Sequence, residues 1–343
     1  MKAISDRFSC RTYALFILAL VGVMLLCICA GSVSIPLKDT LTAMWNTLWG
    51  MEVPQGISKN IILNVRLPRV INVALVGAAL ALCGAAMQGL MRNPLADGST
   101  LGVSSGAALG AVLALAFGRS LPGAAHGSVM LMAMAFAFLS LVLILSLAYV
   151  LDRSLSTNSI ILIGVIFSMF ASSVINLIIS FAEEHIKSIT FWTMGSLSGT
   201  NFSHARILAI AVLVCGTILL RYARELNAFA IGEDNARHIG VNVKQVKLIV
   251  LITVSVLIGV CVSISGSISF VGLVMPHMAR MITGPNHKRL LPASMFSGAI
   301  FLLLADLVAR TLLSPIELSI GVVTSLVGAV AFVVIFYRTR KLR

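Results

Sequence analysis

The sequence predicts an all-α, polytopic integral membrane protein with about ten transmembrane helices. The chain is 59% hydrophobic and only 11% charged, and its mean hydropathy is +1.03. Apolar runs that can cross a hydrocarbon core of roughly 30 Å as helices recur along it. Because lipid offers the backbone no hydrogen-bond partners, each such run has to be helical. These observations exclude a soluble globular protein.

Ten apolar runs give the predicted spans. They are residues 13–32, 70–91, 95–117, 128–151, 158–181, 205–222, 246–266, 268–282, 290–312 and 316–337. An even number of spans places both termini on one side, and 17 of the 25 Lys and Arg residues fall on that side. Since positive residues are retained in the cytoplasm, both termini are predicted to lie inside. The net charge of +13 therefore orients the chain and does not indicate a nucleic-acid partner.

The first run follows a basic start, as the apolar core of a signal peptide would. At about 20 residues it is longer than such a core, and Ile28 is too large for the position three residues before a cut after Ala30. We therefore expect a first transmembrane helix. The six cysteines are scattered without metal-ligand spacing, so we interpret them as apolar packing residues and expect no cofactor or metal.

Two segments outside the spans have their own patterns. Leu41, Met44, Trp45 and Leu48 follow helical spacing and predict an amphipathic helix at the outer interface. Residues 188–199 are too short to span and predict a surface or re-entrant helix.

The short span 268–282 carries a glycine and a proline, and the span 95–117 is rich in glycine. Interruptions at corresponding places in two halves are typical of transporters with inverted repeats. We therefore expect one transmembrane domain over residues 1–343, with halves at about 13–181 and 205–337.

Glycine stripes mark two of the spans. They consist of Gly77, Ala81, Ala85 and Gly89 in one, and of Gly98, Gly102, Gly106 and Gly110 in the other. Such stripes let helices approach closely in lipid, although a direct role in substrate passage is an alternative.

Residues 102–106 also match G-x-S-x-G, but that nucleophile motif requires a strand–turn–helix context and these residues lie in a predicted helix. A membrane hydrolase is therefore disfavoured. No P-loop motif occurs in the chain, so it binds no nucleotide in that way.

The spans hold almost no ionisable residues near their centres, which argues against an ion-coupled secondary transporter acting alone. Asp306 and Arg310 lie four residues apart near the outer end of one span, where they can pair. If no ion gradient drives transport, a partner must supply the energy, and an inner loop must hold its docking site.

The stretch GEDNARHIG in the inner loop 225–244 fits such a site. It consists of Gly232, Glu233, Asp234, Asn235, Ala236, Arg237, His238, Ile239 and Gly240. A helix this short is unstable in isolation, so it packs either on its own chain or on another protein. The acids at its start and the basic residues at its end favour the helix dipole, and Gly240 suits a C-cap.

Three arginines lie outside, against the positive-inside trend: Arg66, Arg69 and Arg310. Snorkelling at the interface is one interpretation. The other is a basic rim that binds carboxylates of an outside partner, because arginine pairs with them bidentately.

Several long motifs together resemble the permease family of ABC importers for iron–siderophores, haem and vitamin B12, the FecCD-type permeases. They lie at residues 66–97, 101–110, 232–241, 269–280 and 302–311, and the resemblance extends over about 60–337. It implies the permease subunit of an ATP-driven importer in the bacterial inner membrane, with ferric siderophore as the leading cargo and haem or cobalamin as alternatives. The chain itself would not be an enzyme.

The resemblance also implies partners and site residues. A second copy would complete a homodimer, two cytoplasmic ATPases would bind residues 232–240, and one soluble binding protein would meet Arg66, Arg69 and Arg310. The segment 155–158, with Ser156, Thr157 and Asn158, aligns with the inner gate. A heterodimer with a paralogous permease stays open.

The sequence departs from the family pattern at three places. Residues 317–319 read ELS where the family has ELP, residues 328–332 lack the proline of G-x-P-x-F, and Gly98 stands where a proline often follows Asp97. These changes affect expectations about the cargo path and not about the class of protein.

Overall fold

The computed structural model describes residues 10–31, 60–117, 125–153 and 156–341, together with Phe8 and positions 35, 36, 38, 40, 42, 45, 46 and 49. Within these residues the fold consists of helices and connecting turns, without a strand. The predicted all-α class is confirmed. The predicted amphipathic helix depends on Leu41, Met44 and Leu48, which lie outside the described residues.

Thirteen α-helices lie in the described part of the chain. They are α1 (Cys10–Cys29), α2 (Leu67–Leu90), α3 (Val103–Phe117), α4 (Ala125–Leu151), α5 (Thr157–Phe181), α6 (Ile186–Thr193), α7 (Phe202–Arg221), α8 (Ala223–Ala230), α9 (Glu233–His238), α10 (Val243–Ser265), α11 (Val271–Thr283), α12 (His287–Thr311) and α13 (Ile320–Lys341). A π-helical turn, Ile61–Arg66, extends α2 at its outer end.

Ten of these helices correspond to the ten predicted spans, and α6, α8 and α9 are short helices outside them. Seven are long and apolar enough to cross a membrane by themselves, while α3 and α13 carry shorter apolar stretches. Helix α11 has 13 residues and covers only about 20 Å. The short helix α6 lies where residues 188–199 predicted one.

Helix α2 is the centre of the bundle and packs against α1, α7, α10, α11 and α12. Its glycines make this possible. A Cβ at Gly77 would overlap the backbone of Gly298 on α12, and a Cβ at Gly84 would overlap the carbonyl oxygen of Gly272 on α11. Because lipid provides no hydrophobic drive between helices, such backbone proximity is a main source of packing energy. The tight-packing interpretation of the stripe on α2 is confirmed.

We expect Gly84→Ala to destabilise the protein by about 3 kcal/mol, the upper end for overpacking, because α2 and α11 would have to separate. Gly22→Ala in α1 is the matched control, since a Cβ there meets no atom within 4 Å. Thermal unfolding in detergent measures both variants. Equal midpoints for the two would contradict the packing account.

The start of α3 differs from the prediction. The span was expected from residue 95, but α3 begins at Val103, after a 3-10 turn over Gly98–Leu101. Asn93 accepts a hydrogen bond from the amide of Leu95, and Gly102 has φ +74°, so the segment turns before the helix begins. The G-x-S-x-G stretch thus enters a helix from a turn, and no strand precedes it among the described residues.

Helix α11 also follows an irregular segment, residues 266–270, in which Phe270 has the left-handed φ of +69°. Two short helices that each follow an irregular connector, one in each predicted half, are what an inverted repeat predicts. The division into halves at 13–181 and 205–337 stays a prediction.

Candidate functional site

The inner loop is built on α8, which fixes where α9 begins. Phe229 and Leu226 of α8 are fully buried, and burial of each contributes about 1.5–3 kcal/mol. Asn227 ties α8 to α12, because its side-chain oxygen accepts a hydrogen bond from the amide of His287 at 2.8 Å. Gly232, with φ +117°, then turns the chain from α8 into α9.

The end of α9 is a Schellman motif. The amide of Val241 donates to the carbonyl of Ala236, and the amide of Gly240 donates to that of Arg237. Gly240 has φ +89°, a conformation that a side chain disfavours. The predicted C-cap is confirmed.

Helix α9 has one buried and one exposed side. Ala236 is fully buried against the rest of the chain, whereas the side chains of Asp234 and Arg237 are 89% and 56% exposed. Ile231 and Ile239, which flank the helix, are also exposed. The helix therefore packs on its own chain and still presents a surface with two large apolar side chains to the cytoplasm.

Glu233 connects α9 to two other helices. The Nζ atom of Lys247 on α10 lies 2.8 Å from each of its carboxylate oxygens, and Thr157 at the start of α5 donates to it at 3.3 Å. Lys247 is 1% exposed. A buried ammonium requires an anionic partner, so this ion pair holds the start of α9 against α10 and α5.

Two of the predicted gate residues flank Thr157. Ser156 is the N-cap of α5 and accepts a hydrogen bond from the amide of Ser159, while Asp152 accepts one from the amide of Ser156. Asn158 is exposed. The structure thus places Thr157 beside α9, while Leu155, the first residue of the predicted gate segment, lies outside the described residues.

At the outer end, Asp306 of α12 lies between two arginines. The guanidinium of Arg69 donates to one of its oxygens at 2.9 and 3.1 Å, and Arg310 Nε lies 2.9 Å from the other. Arg69 also pairs with Glu317 at 2.8 Å. The predicted pairing of Asp306 with Arg310 is present, and Arg69 joins it.

Arg66 and Arg310 cap the outer end of α1. Arg66 donates to the carbonyls of Ile28 and Cys29, and Arg310 donates to those of Cys27 and Ala30. Cations at a helix C-terminus satisfy carbonyls that lack intrahelical partners. Arg66, Arg69 and Arg310 are only 4%, 6% and 2% exposed. All three donate to groups of the same chain at its outer end, and their contact with a binding protein stays a prediction.

Two members of these clusters were not identified from the sequence. Lys247 is a lone charge among apolar residues near the start of a span, which is itself a signal of a functional or paired position. Glu317 lies at the start of the predicted span 316–337, and nothing in its sequence position indicated that it pairs with Arg69.

Comparison with known proteins shows the family of the chain. The model of the FecCD transport family matches residues 17–338. The chain belongs to this family. The ABC transporter permease protein YvrB of Bacillus subtilis is 42% identical to it over 93% of this chain and 91% of the relative. The molybdate import system permease protein MolB of Haemophilus influenzae is 36% identical over 91% and 90%.

A solved structure described as a metal-chelate type ABC transporter in an inward-facing conformation superimposes with a TM-score of 0.82. The two are 34% identical, and the match covers 96% of this chain and 99% of that one. This FecCD protein is therefore the transmembrane permease subunit of an ABC importer in the bacterial inner membrane, and it works with an ATPase and a substrate-binding protein.

Proposed function

We propose that this permease moves a metal chelate from its binding protein into the cytoplasm, with ferric siderophore as the leading cargo and haem or cobalamin as alternatives. The similarity to a structure described as a metal-chelate type ABC transporter, which covers 96% of this chain, supports this class of cargo. The chain itself performs no chemistry in this proposal. Hydrolysis of ATP occurs in separate subunits, and specificity lies largely in the binding protein.

The single observation that carries the coupling proposal is the two-sided helix α9. Two ATPase subunits dock on the cytoplasmic side of a permease dimer, formed with a second copy or with a paralogue. Each ATPase contacts residues 232–240, and Ile231 adds apolar surface beside them. Exposed apolar side chains next to charged ones are typical of the centre and rim of a protein interface.

On the outer side, we propose that the binding protein docks over the end of α12 and the segment before α13. The sequence predicted direct contacts from Arg66, Arg69 and Arg310 to acids of that protein. Their donors already serve carbonyls and carboxylates within the chain, so direct contact requires these bonds to rearrange. Without rearrangement, the arginines shape the surface and supply positive charge beneath it.

At the inner side, we propose that the segment 155–158, with Ser156, Thr157 and Asn158, belongs to the gate. The hydrogen bond from Thr157 to Glu233 supports this proposal, since it links the segment to the ATPase-docking helix.

Ile239→Asp is expected to abolish co-purification of the ATPase and ATP-dependent cargo uptake in proteoliposomes that contain the binding protein. The change places a charge in the apolar part of the proposed interface and leaves the buried side of α9 intact. Pro285→Asp, at an exposed position of the inner turn between α11 and α12, is the control and should keep both activities. Uptake that persists without ATPase would instead support a secondary transporter, and full assembly of the Ile239 variant would contradict the docking proposal.

A further inference from the structure

A groove of about 770 Å³ lies on the cytoplasmic side, and no residue of α9 lines it. It is formed by the start of α1, the junction of α7 and α8, and the start of α12. Arg221, Arg224 and Lys288 line it, together with Glu225, Tyr13 and the apolar Leu220. None of the residues assigned above to ATPase docking, binding-protein docking or the gate lines this groove.

Its charge favours an anionic ligand. Three cations face one carboxylate, and Arg221 and Arg224 are both exposed. Among the residues that the structure describes, neither of these two arginines pairs with an acid. Two unpaired guanidiniums three residues apart are suited to one phosphate group, which they bind through charge-assisted hydrogen bonds.

Glu225 places a second requirement on the ligand. Its Oε2 atom is buried and accepts no hydrogen bond within the described residues. A buried carboxylate oxygen without a donor is costly, and Glu225 lines the groove, so the carboxylate gains a partner if it turns toward a ligand that has a hydroxyl group beside its phosphate. A bare phosphate ion at neutral pH satisfies this condition less well than an alcohol does.

The position of the groove relative to the membrane indicates where the ligand comes from. Arg221 ends the apolar helix α7, so it lies at the level of the inner headgroups. Leu220 and Pro292, which also line the groove, belong to membrane-spanning helices and can contact acyl chains. Basic pockets between spans on the cytoplasmic side are suited to anionic lipid headgroups.

We propose that this groove binds the headgroup of an anionic phospholipid of the inner leaflet, of the phosphatidylglycerol type. Arg221 and Arg224 hold the phosphodiester, and Glu225 accepts a hydrogen bond from a glycerol hydroxyl. The lipid bridges α7, α8 and α12, and α8 carries the coupling helix. Binding therefore stabilises the inner side of the permease.

The test measures thermal unfolding of the full chain in neutral detergent, with and without added lipid. Phosphatidylglycerol should raise the midpoint by on the order of 5 °C, as expected for a ligand that binds only the folded protein. Phosphatidylethanolamine should give a clearly smaller shift, and inorganic phosphate at the same concentration should give none. In the double variant Arg221→Gln/Arg224→Gln, the phosphatidylglycerol shift should fall to less than half.

Arg206→Gln is the matched control, because Arg206 is an exposed arginine at the outer end of the same helix. It should keep the full shift. If the double variant does not purify as a folded protein, Arg224→Gln alone serves, and native mass spectrometry counts the lipid that each protein retains. An unchanged shift in the variant, an equal shift with phosphatidylethanolamine, or an equal shift with free phosphate would each overturn the proposal.

Discussion

Asp306→Asn is expected to cause a loss of about 3–5 kcal/mol in the free energy of unfolding, the cost of removing one partner from a buried charge cluster. Asp306 is fully buried and lies between the guanidiniums of Arg69 and Arg310. Asparagine preserves the shape but removes the charge, so two buried cations would face each other with less compensation. Thermal unfolding in detergent should show a midpoint lower by on the order of 10 °C.

Glu317→Gln is the control within the same cluster. Glu317 also pairs with Arg69, but its side chain is 31% exposed, so solvent screens the pair and its loss should cost about 1 kcal/mol or less. Equal losses for the two variants would show that burial does not set the energy of this cluster. A smaller loss for Asp306→Asn than for Glu317→Gln would contradict the role given to Asp306.

The burial of Arg69 changes how the proposed docking of the binding protein can be tested. Reversing Arg69 to glutamate would place a third carboxylate beside Asp306 and Glu317, and the fold would suffer before any docking could be measured. A loss of binding-protein affinity in that variant would therefore not identify a direct contact. Affinity has to be compared between variants with the same unfolding midpoint.

Hydropathy was sufficient for the ten spans because lipid leaves an apolar run no alternative to a helix. It could not locate the start of α3. Residues 95–102 are mostly small or apolar, and the turn depends on the side chain of Asn93 and the positive φ of Gly102. Such local hydrogen bonds compete with helix formation and leave little trace in an average over a window.

The candidate functional site could be predicted only in part, because some of its contacts join residues that are far apart in the sequence. The polar helix α9 stands out locally, so its position, its cap and its dependence on packing could be derived from consecutive residues. The burial of the arginines could not, because Arg69 and Asp306 are 237 residues apart in the chain. Charge and topology placed these residues at the outer surface, and only the packing of α2 against α12 shows that they face each other.

Lys247→Met is expected to uncouple transport from ATP hydrolysis. Lys247 ties Glu233 at the start of α9 to α10, and Thr157 ties it to α5. Methionine fills a similar volume in an apolar setting, and Glu233 is exposed enough to remain solvated, so the fold should persist. Without this ion pair, movement of α9 is transmitted to α10 only in part. The amount of cargo transported per ATP hydrolysed should fall on the order of tenfold. This factor corresponds to the loss of one charge-assisted hydrogen bond of ~1.5 kcal/mol.

The measurement compares cargo uptake and ATP hydrolysis in the same proteoliposomes. Lys244→Met is the matched control, because Lys244 is an exposed lysine on the same helix α10, and its Nζ atom lies 4.7 Å from the ring centroid of Tyr149 and not beside Glu233. It should leave the ratio of uptake to hydrolysis unchanged. If Lys247→Met lowers both activities in proportion, the ion pair serves assembly and not transmission. If it lowers neither, the ion pair with Lys247 carries no part of the motion, and the link from α9 to the gate runs through the hydrogen bond from Thr157 to Glu233 or through the backbone.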